Sequence, residues 1–175
     1  MVFKAKQFFV LHEGNRLIYL KEKGGCMITK ILVPTDGSKP AKKSIEYAVQ
    51  LAGQVGATIV LISVINKSLV VPQSIPGTAT PTKLIVPIED YLRHAAEAYL
   101  DEAEALCMKY SVHTRKVIRS GHPVEEILKE AQKSKADLIV IGSHGRSALK
   151  AAVLGSVTFG IINKETKVPV LVVRK

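Results

Sequence analysis

From Met27 onward the chain alternates between short apolar runs and longer segments whose apolar residues recur at helical spacing. Five runs have strand length: 28–34 (ITKILVP), 57–66 (ATIVLISVIN), 111–121 (SVHTRKVIRSG), 136–142 (ADLIVIG) and 168–175 (VPVLVVRK). Four are almost continuously apolar, as strands covered on both faces must be, and 111–121 alternates like a more exposed one. Between them, 39–56 places Ala41, Ile45, Ala48, Val49, Leu51, Ala52 and Val55 at helical spacing, with Pro40 in its first turn and Gly56 as its stop. A second helix is predicted over 89–110, with Tyr91, Leu92, Ala95, Ala98, Tyr99, Ala103 and Leu106 on its apolar face. A third runs over 122–135, with Pro123 at its start and acids in its first turn, and a short fourth follows Ser156. Five strands alternating with four helices predict an α/β fold, an open parallel sheet with helices on both faces. Ligands in such sheets bind at the carboxyl ends of the strands, where the strand order reverses.

Composition narrows the function classes. The 175 residues are enough for one domain with a sizeable core. Trp is absent and aromatics are few, so that core is aliphatic. No apolar run approaches the ~18 residues of a membrane span. The net charge of +10 is spread along the chain and interleaved with acids, as in EEILKEAQKSK. That pattern suits solvated helix faces or an anionic small ligand. A specific nucleic-acid role is not expected, because no stacking motif accompanies the charge. Cys26 and Cys107 have neither disulfide nor zinc spacing, so a reducing cytoplasm is the expected compartment.

Three glycines follow the fourth strand: Gly142, Gly145 and Gly155, the last joined directly to Ser156. A phosphate approaches bare backbone N–H groups where no Cβ intervenes, or where φ is positive. Gly142 lets the chain turn sharply, Gly145 keeps the next turn open, and Gly155-Ser156 opens a helix whose first-turn N–H groups form an anion site. Ser156 can cap that helix or give its hydroxyl to a phosphate oxygen. Arg146 and Lys150 bring positive charge to the intervening loop. After the first strand, Asp36 can take ribose hydroxyls or a divalent cation; equally, Asp36 and Ser38 can serve as helix caps. At the end of the second strand, Val64 offers its backbone to a base edge.

The segments KILVPTDGS and ADLIVIGSHGRS, the Gly142/Gly145/Gly155-Ser156 spacing and the terminal KVPVLVVRK resemble the universal stress protein family, in its ATP-binding branch, over residues 28–175. The resemblance implies a Rossmann-like sheet of five parallel strands in the order 3-2-1-4-5. It implies homodimers formed through the last strand, 168–173, acting with an unidentified regulatory protein partner. It also implies ATP as ligand, with Mg²⁺ or Mn²⁺ carried on the nucleotide beside Asp36. Pro34, Thr35 and Asp36 would contact it after the first strand, and Val64 would meet adenine through its backbone. Gly142, Ser143, His144, Gly145, Arg146, Ser147 and Ala148, with Gly155, Ser156, Val157 and Thr158, would hold the phosphates.

No catalyst is signalled with comparable clarity. There is no Walker A sequence and no Ser-His-Asp or Cys-His arrangement; His144 is the best-placed base for hydrolysis. A nucleotide-binding regulatory module, with slow or partner-dependent hydrolysis at most, is therefore expected. A nucleotide-hydrolysing or adenylyl-transferring enzyme is the alternative. Residues 67–88 hold four of the eight prolines and read as a long irregular loop. Residues 1–26 stand outside the alternation as an N-terminal extension to a domain at 27–175. They read either as a hairpin turning at EGN or as sequence upstream of a natural start at Met27.

Overall fold

The computed structural model describes residues 8–11, 28–66, 82–146, 154–164 and 167–174, with backbone alone at 8–11 and 82–87. Its strands are β1 (Phe8–Leu11), β2 (Lys30–Pro34), β3 (Thr58–Ile65), β4 (Thr114–Ser120), β5 (Leu138–Gly142) and β6 (Val170–Val173). Its helices are α1 (Lys39–Val55), α2 (Thr82–Lys109), α3 (Pro123–Ser134) and α4 (Ser156–Asn163). All strands pair in parallel, in the order β1-β6-β5-β2-β3-β4. The five strands expected from Met27 onward thus stand in the order 3-2-1-4-5, and β1 adds a sixth beside the last.

Side-chain alternation along each strand divides the interior into two layers. Ile31, Val33, Ile59, Leu61, Val140 and Leu171 pack with Ile45, Ala48, Val49 and Ala52 of α1 and with Leu100 and Ala103 of α2. Leu32, Val60, Ile62, Ile139 and Val172 face the other way, against Ile127 and Ala131 of α3 and Ile161 of α4. Each such aliphatic side chain removed from water contributes about 1.5–3 kcal/mol, so the two layers fix which helix lies on which face.

Two expectations need correction. Helix α2 begins at Thr82, not at Glu89, so the irregular segment loses its last seven residues to the helix. Pro87, one of the prolines that make the segment read as irregular, falls in the second turn of the helix. Residues 67–81 lie outside the described residues. The buried stripe of α2 is also rotated from the expected one. It runs through Ala96, Leu100, Ala103 and Cys107, whereas Tyr91 is 73% exposed and Ala98 is exposed. Burial pushes the Cys107 thiol up to about 11. As for the hairpin reading of the extension, Phe8–Leu11 is a strand, but its partner is β6; the remainder of 1–26 lies outside the described residues.

β2 and β5 are the central pair, and they pair only briefly. Ile31 stands opposite Leu138 and Leu32 opposite Ile139, after which both strands continue without a further ladder pair. At the foot of this pair, Asp137 Oδ2 accepts from Thr29 N at 2.9 Å, Thr29 Oγ1 at 2.9 Å and Lys30 N at 3.0 Å. At the head, α1 crosses β5 where Gly142 lacks a side chain. A Cβ there would stand 2.7 Å from the Pro40 carbonyl oxygen.

Burial alone would raise the Asp137 carboxyl, but the donors from Thr29 and Lys30 outweigh it and hold the group below its usual value. Its contribution is therefore present at neutral pH and is lost as pH falls through the depressed value. Asp137→Ala is expected to lower unfolding stability by about 1–2 kcal/mol at pH 7. In urea titrations the difference from the unchanged chain should close below about pH 4; a gap still full at pH 3 would contradict this account. Gly142→Ala should cost about 1–3 kcal/mol in the same titration through its contact with Pro40, with or without ligand.

Candidate functional site

The parting of β2 from β5 leaves two loops facing each other at the carboxyl edge of the sheet. The first is fixed from below: Thr35 N donates to Ile62 O on β3 at 2.8 Å, and Thr35 is buried. Gly37 then turns with φ +76°, where its N–H donates to Thr35 Oγ1 at 3.3 Å. Ser38 caps α1 by accepting from Ala41 N at 3.3 Å. Of the two candidate caps, Ser38 is thus the one used. Asp36 Oδ1 accepts from Ser38 N at 3.0 Å, while its other oxygen, Oδ2, reaches across the crevice and accepts from Arg146 N at 3.1 Å.

The second loop leaves β5 at Gly142. Ser143 is buried; its N–H donates to Val173 O of β6 at 2.8 Å, and its carbonyl accepts from Gly155 N at 2.8 Å. That last bond closes the base of the loop and brings the start of α4 back to the end of β5. Gly155 is the N-cap of α4, with φ −72° and no side-chain cap. Ser156 is therefore not a cap. It is exposed in the first turn, and its hydroxyl has no hydrogen-bond partner among the described residues. The first-turn N–H groups of Ser156, Val157 and Thr158 have no carbonyl within the helix to reach. Thr158 points inward instead: it is buried, and its hydroxyl donates to Gly142 O at 2.8 Å, fastening α4 to β5.

The three glycines act through close approach, not through φ. None is among the positive-φ residues, where the glycines are Gly37, Gly56 and Gly121. A Cβ on Gly145 would come within 2.7 Å of Asp36 Oδ2, and one on Gly155 within 3.2 Å of His144 Cα. Their spacing therefore brings loop to loop and helix start to loop, besides the turn of β5 under α1.

His144 lies in the second loop with Nδ1 2.9 Å from Ser143 Oγ. Pro34 is buried at the end of β2, and Val64 is half-buried near the end of β3 at the same edge. Ser147, Ala148 and Lys150 lie outside the described residues. The structure thus gathers Thr35, Asp36, Gly145, Arg146, Gly155 and the first turn of α4, with Val64 one strand away. Among the described residues no group of three His, Cys, Asp or Glu side chains is placed to hold a metal ion alone.

Tyr99 completes the junction and is not singled out by the sequence. From α2 its ring lies against Gly37, where a Cβ would stand 2.4 Å from Cδ1. The Arg146 guanidinium lies over the same ring, 4.4 Å from its centroid. A cavity of about 340 Å³ opens beside it between α1 and α2, with Thr35, Ile45, Tyr99, Ala103 and Leu106 in its wall. The sequence shows Tyr99 only as one more residue on the apolar side of a helix. Its nearness to Gly37 and Arg146 comes from the crossing of α2 over the sheet.

Comparison with known proteins agrees with this architecture. The model of the Universal stress protein family matches residues 27–174. Universal stress protein MJ0531 of Methanocaldococcus jannaschii is 31% identical over 174 residues, covering 99% of this chain and 95% of that protein. The solved structure of MJ0577 from the same organism superposes with a TM-score of 0.73 at 29% identity, over 85% of this chain and 97% of that one. A universal stress protein solved in complex with cAMP shares the fold at a TM-score of 0.60 and 23% identity, over 85% of this chain and 98% of that one. No helix among the described residues is long and apolar enough to cross a membrane. With a family model over nearly its whole length and a relative matched from end to end, this chain belongs to the universal stress protein family.

Proposed function

We propose that this chain binds ATP in the crevice between the two loops and works as a nucleotide-dependent regulatory module of the stress response in the cytoplasm. The carrying observation is the first turn of α4. Its N–H groups and the unpartnered Ser156 hydroxyl are held by the Gly155–Ser143 bond beside a loop that touches Asp36. That is an anion site built of backbone, next to a carboxylate suited to ribose hydroxyls or to a Mg²⁺ or Mn²⁺ ion carried by the phosphates. The cAMP complex supports an adenine nucleotide as the class of ligand this fold accepts.

The triphosphate competes with the Asp36 carboxylate for the Arg146 N–H. Arg146 is close enough to turn from Tyr99 to a phosphate oxygen. Val64 supplies backbone polarity at the base end of the site. Hydrolysis is slow or depends on a partner, with His144 beside Ser143 the best-placed base. The edge at 168–173 is its surface for pairing with a second copy, and a regulatory protein partner reads its state.

Ser156→Ala removes only an exposed hydroxyl. It is expected to weaken ATP binding about tenfold, as loss of a hydrogen bond to a charged group does, with no change in the urea midpoint. Titration calorimetry with Mg²⁺-ATP measures it. The unchanged chain, purified without added nucleotide and then denatured, should release adenine nucleotide on anion exchange. If it releases none and calorimetry also shows no heat with ATP, the crevice is not a nucleotide site.

A further inference from the structure

The two edges of the sheet built from residues 28–174 differ in kind. On β4, Arg115 and Arg119 are bound to the buried carboxylate of Glu130, and Lys116 to Asp101 and Glu104 at 2.8 and 2.6 Å. A strand guarded by fixed charges resists pairing with another chain. β6 has no such guard. Its residues, Val170, Leu171, Val172 and Val173, are all apolar and buried, and one side of its backbone is taken by β5. The other side has room for a single further strand. In this structure β1 fills it, with Phe8 opposite Val170 and Leu11 opposite Val173.

We propose that β1 is a displaceable cap on the β6 edge, so that residues 8–11 decide whether a second copy of this chain can pair there. The proposal rests on the reading of 168–173 as the pairing surface given above. β1 and a second copy require the same backbone groups of β6 and exclude each other. β1 meets all four residues of β6, so a second copy can pair along this strand only by displacing it. The match to MJ0531 spans 99% of this chain and so takes in residues 8–11. Matches that span 85% of it, such as MJ0577, leave a stretch of comparable length to the extension without a counterpart.

Full-length chains carrying Cys26→Ser test this, studied by sedimentation. Val10→Cys with Val172→Cys places thiols on directly opposed residues. Phe9→Pro with Val10→Pro removes two of the strand's four N–H groups, and Val10→Glu is a gentler second disruption. The expected result has three parts: a monomer for the undisrupted chain, an intrachain disulfide in the cysteine pair, and a dimer once β1 is disrupted. A disrupted chain that stays monomeric while the intrachain disulfide forms would show a true cap over an edge that pairs with nothing, and would overturn the pairing reading. Disulfides between chains, or none, would overturn the cap itself. A dimer of unchanged affinity with or without the disruption, whichever disulfide forms, would show that β1 does not govern pairing.

Discussion

The carboxyl edge depends on how briefly β2 and β5 pair. Two opposed residue pairs hold the strands together at the centre of the sheet, with Asp137 bonding Thr29 and Lys30 below them. Beyond Leu32 and Ile139 the ladder ends while both strands run on, so their loops diverge and then face each other. α1 leaves one strand toward one face and α4 follows the other toward the opposite face. A longer ladder would carry the loops out side by side and leave no crevice. The reversal of strand order and the opening of the site are one geometric fact.

Much of this was legible in the sequence because it follows from solvent. Strands covered on both faces must be continuously apolar, and helices lying on them must carry one apolar side; both patterns survive in a one-dimensional text. The start of α4 at Gly155-Ser156 was legible for the same local reason. What the text could not show was the purpose of each glycine. Gly142, Gly145 and Gly155 suggest either a phosphate meeting bare backbone or a chain bent through positive φ. Their immediate neighbours are instead the Pro40 carbonyl, the Asp36 carboxylate and the His144 backbone. Close approach between segments, two of them more than a hundred residues apart, leaves the same letter in the sequence as a sharp turn does.

Two misreadings have a physical cause of the same sort. The four prolines of 67–88 read as an irregular segment, yet the last of them, Pro87, stands in the second turn of a helix that starts at Thr82 and runs on through it. The stripe expected from helical spacing runs through Tyr91, Ala98 and Ala103; α2 buries Ala103 of that set, with Ala96, Leu100 and Cys107. Small residues win where a helix must lie close to a sheet, and an Ala-rich helix offers several such faces. β1 was the least legible element. Its apolar run FFVL is too short to declare a partner, and which edge of which sheet it joins is settled by the rest of the fold.

Tyr99 shows how these layers meet. Its ring lies against Gly37 of the first loop and under the Arg146 guanidinium of the second, while one residue on, Leu100 is buried in the core beneath α1 and α2. A helix turn that is half core and half site ties the separation of the loops to the packing of the domain. Opening the crevice means parting Asp36 from Arg146, and Arg146 cannot leave without uncovering Tyr99. The second loop is in turn anchored through Ser143 to the last residue of β6. Displacement at the crevice therefore meets two resistances, one from α2 and one from the outer strands. A module of this build has loops at the crevice but its mechanical connections in strands and helices, the arrangement needed if a change at the crevice is to be felt at a distance.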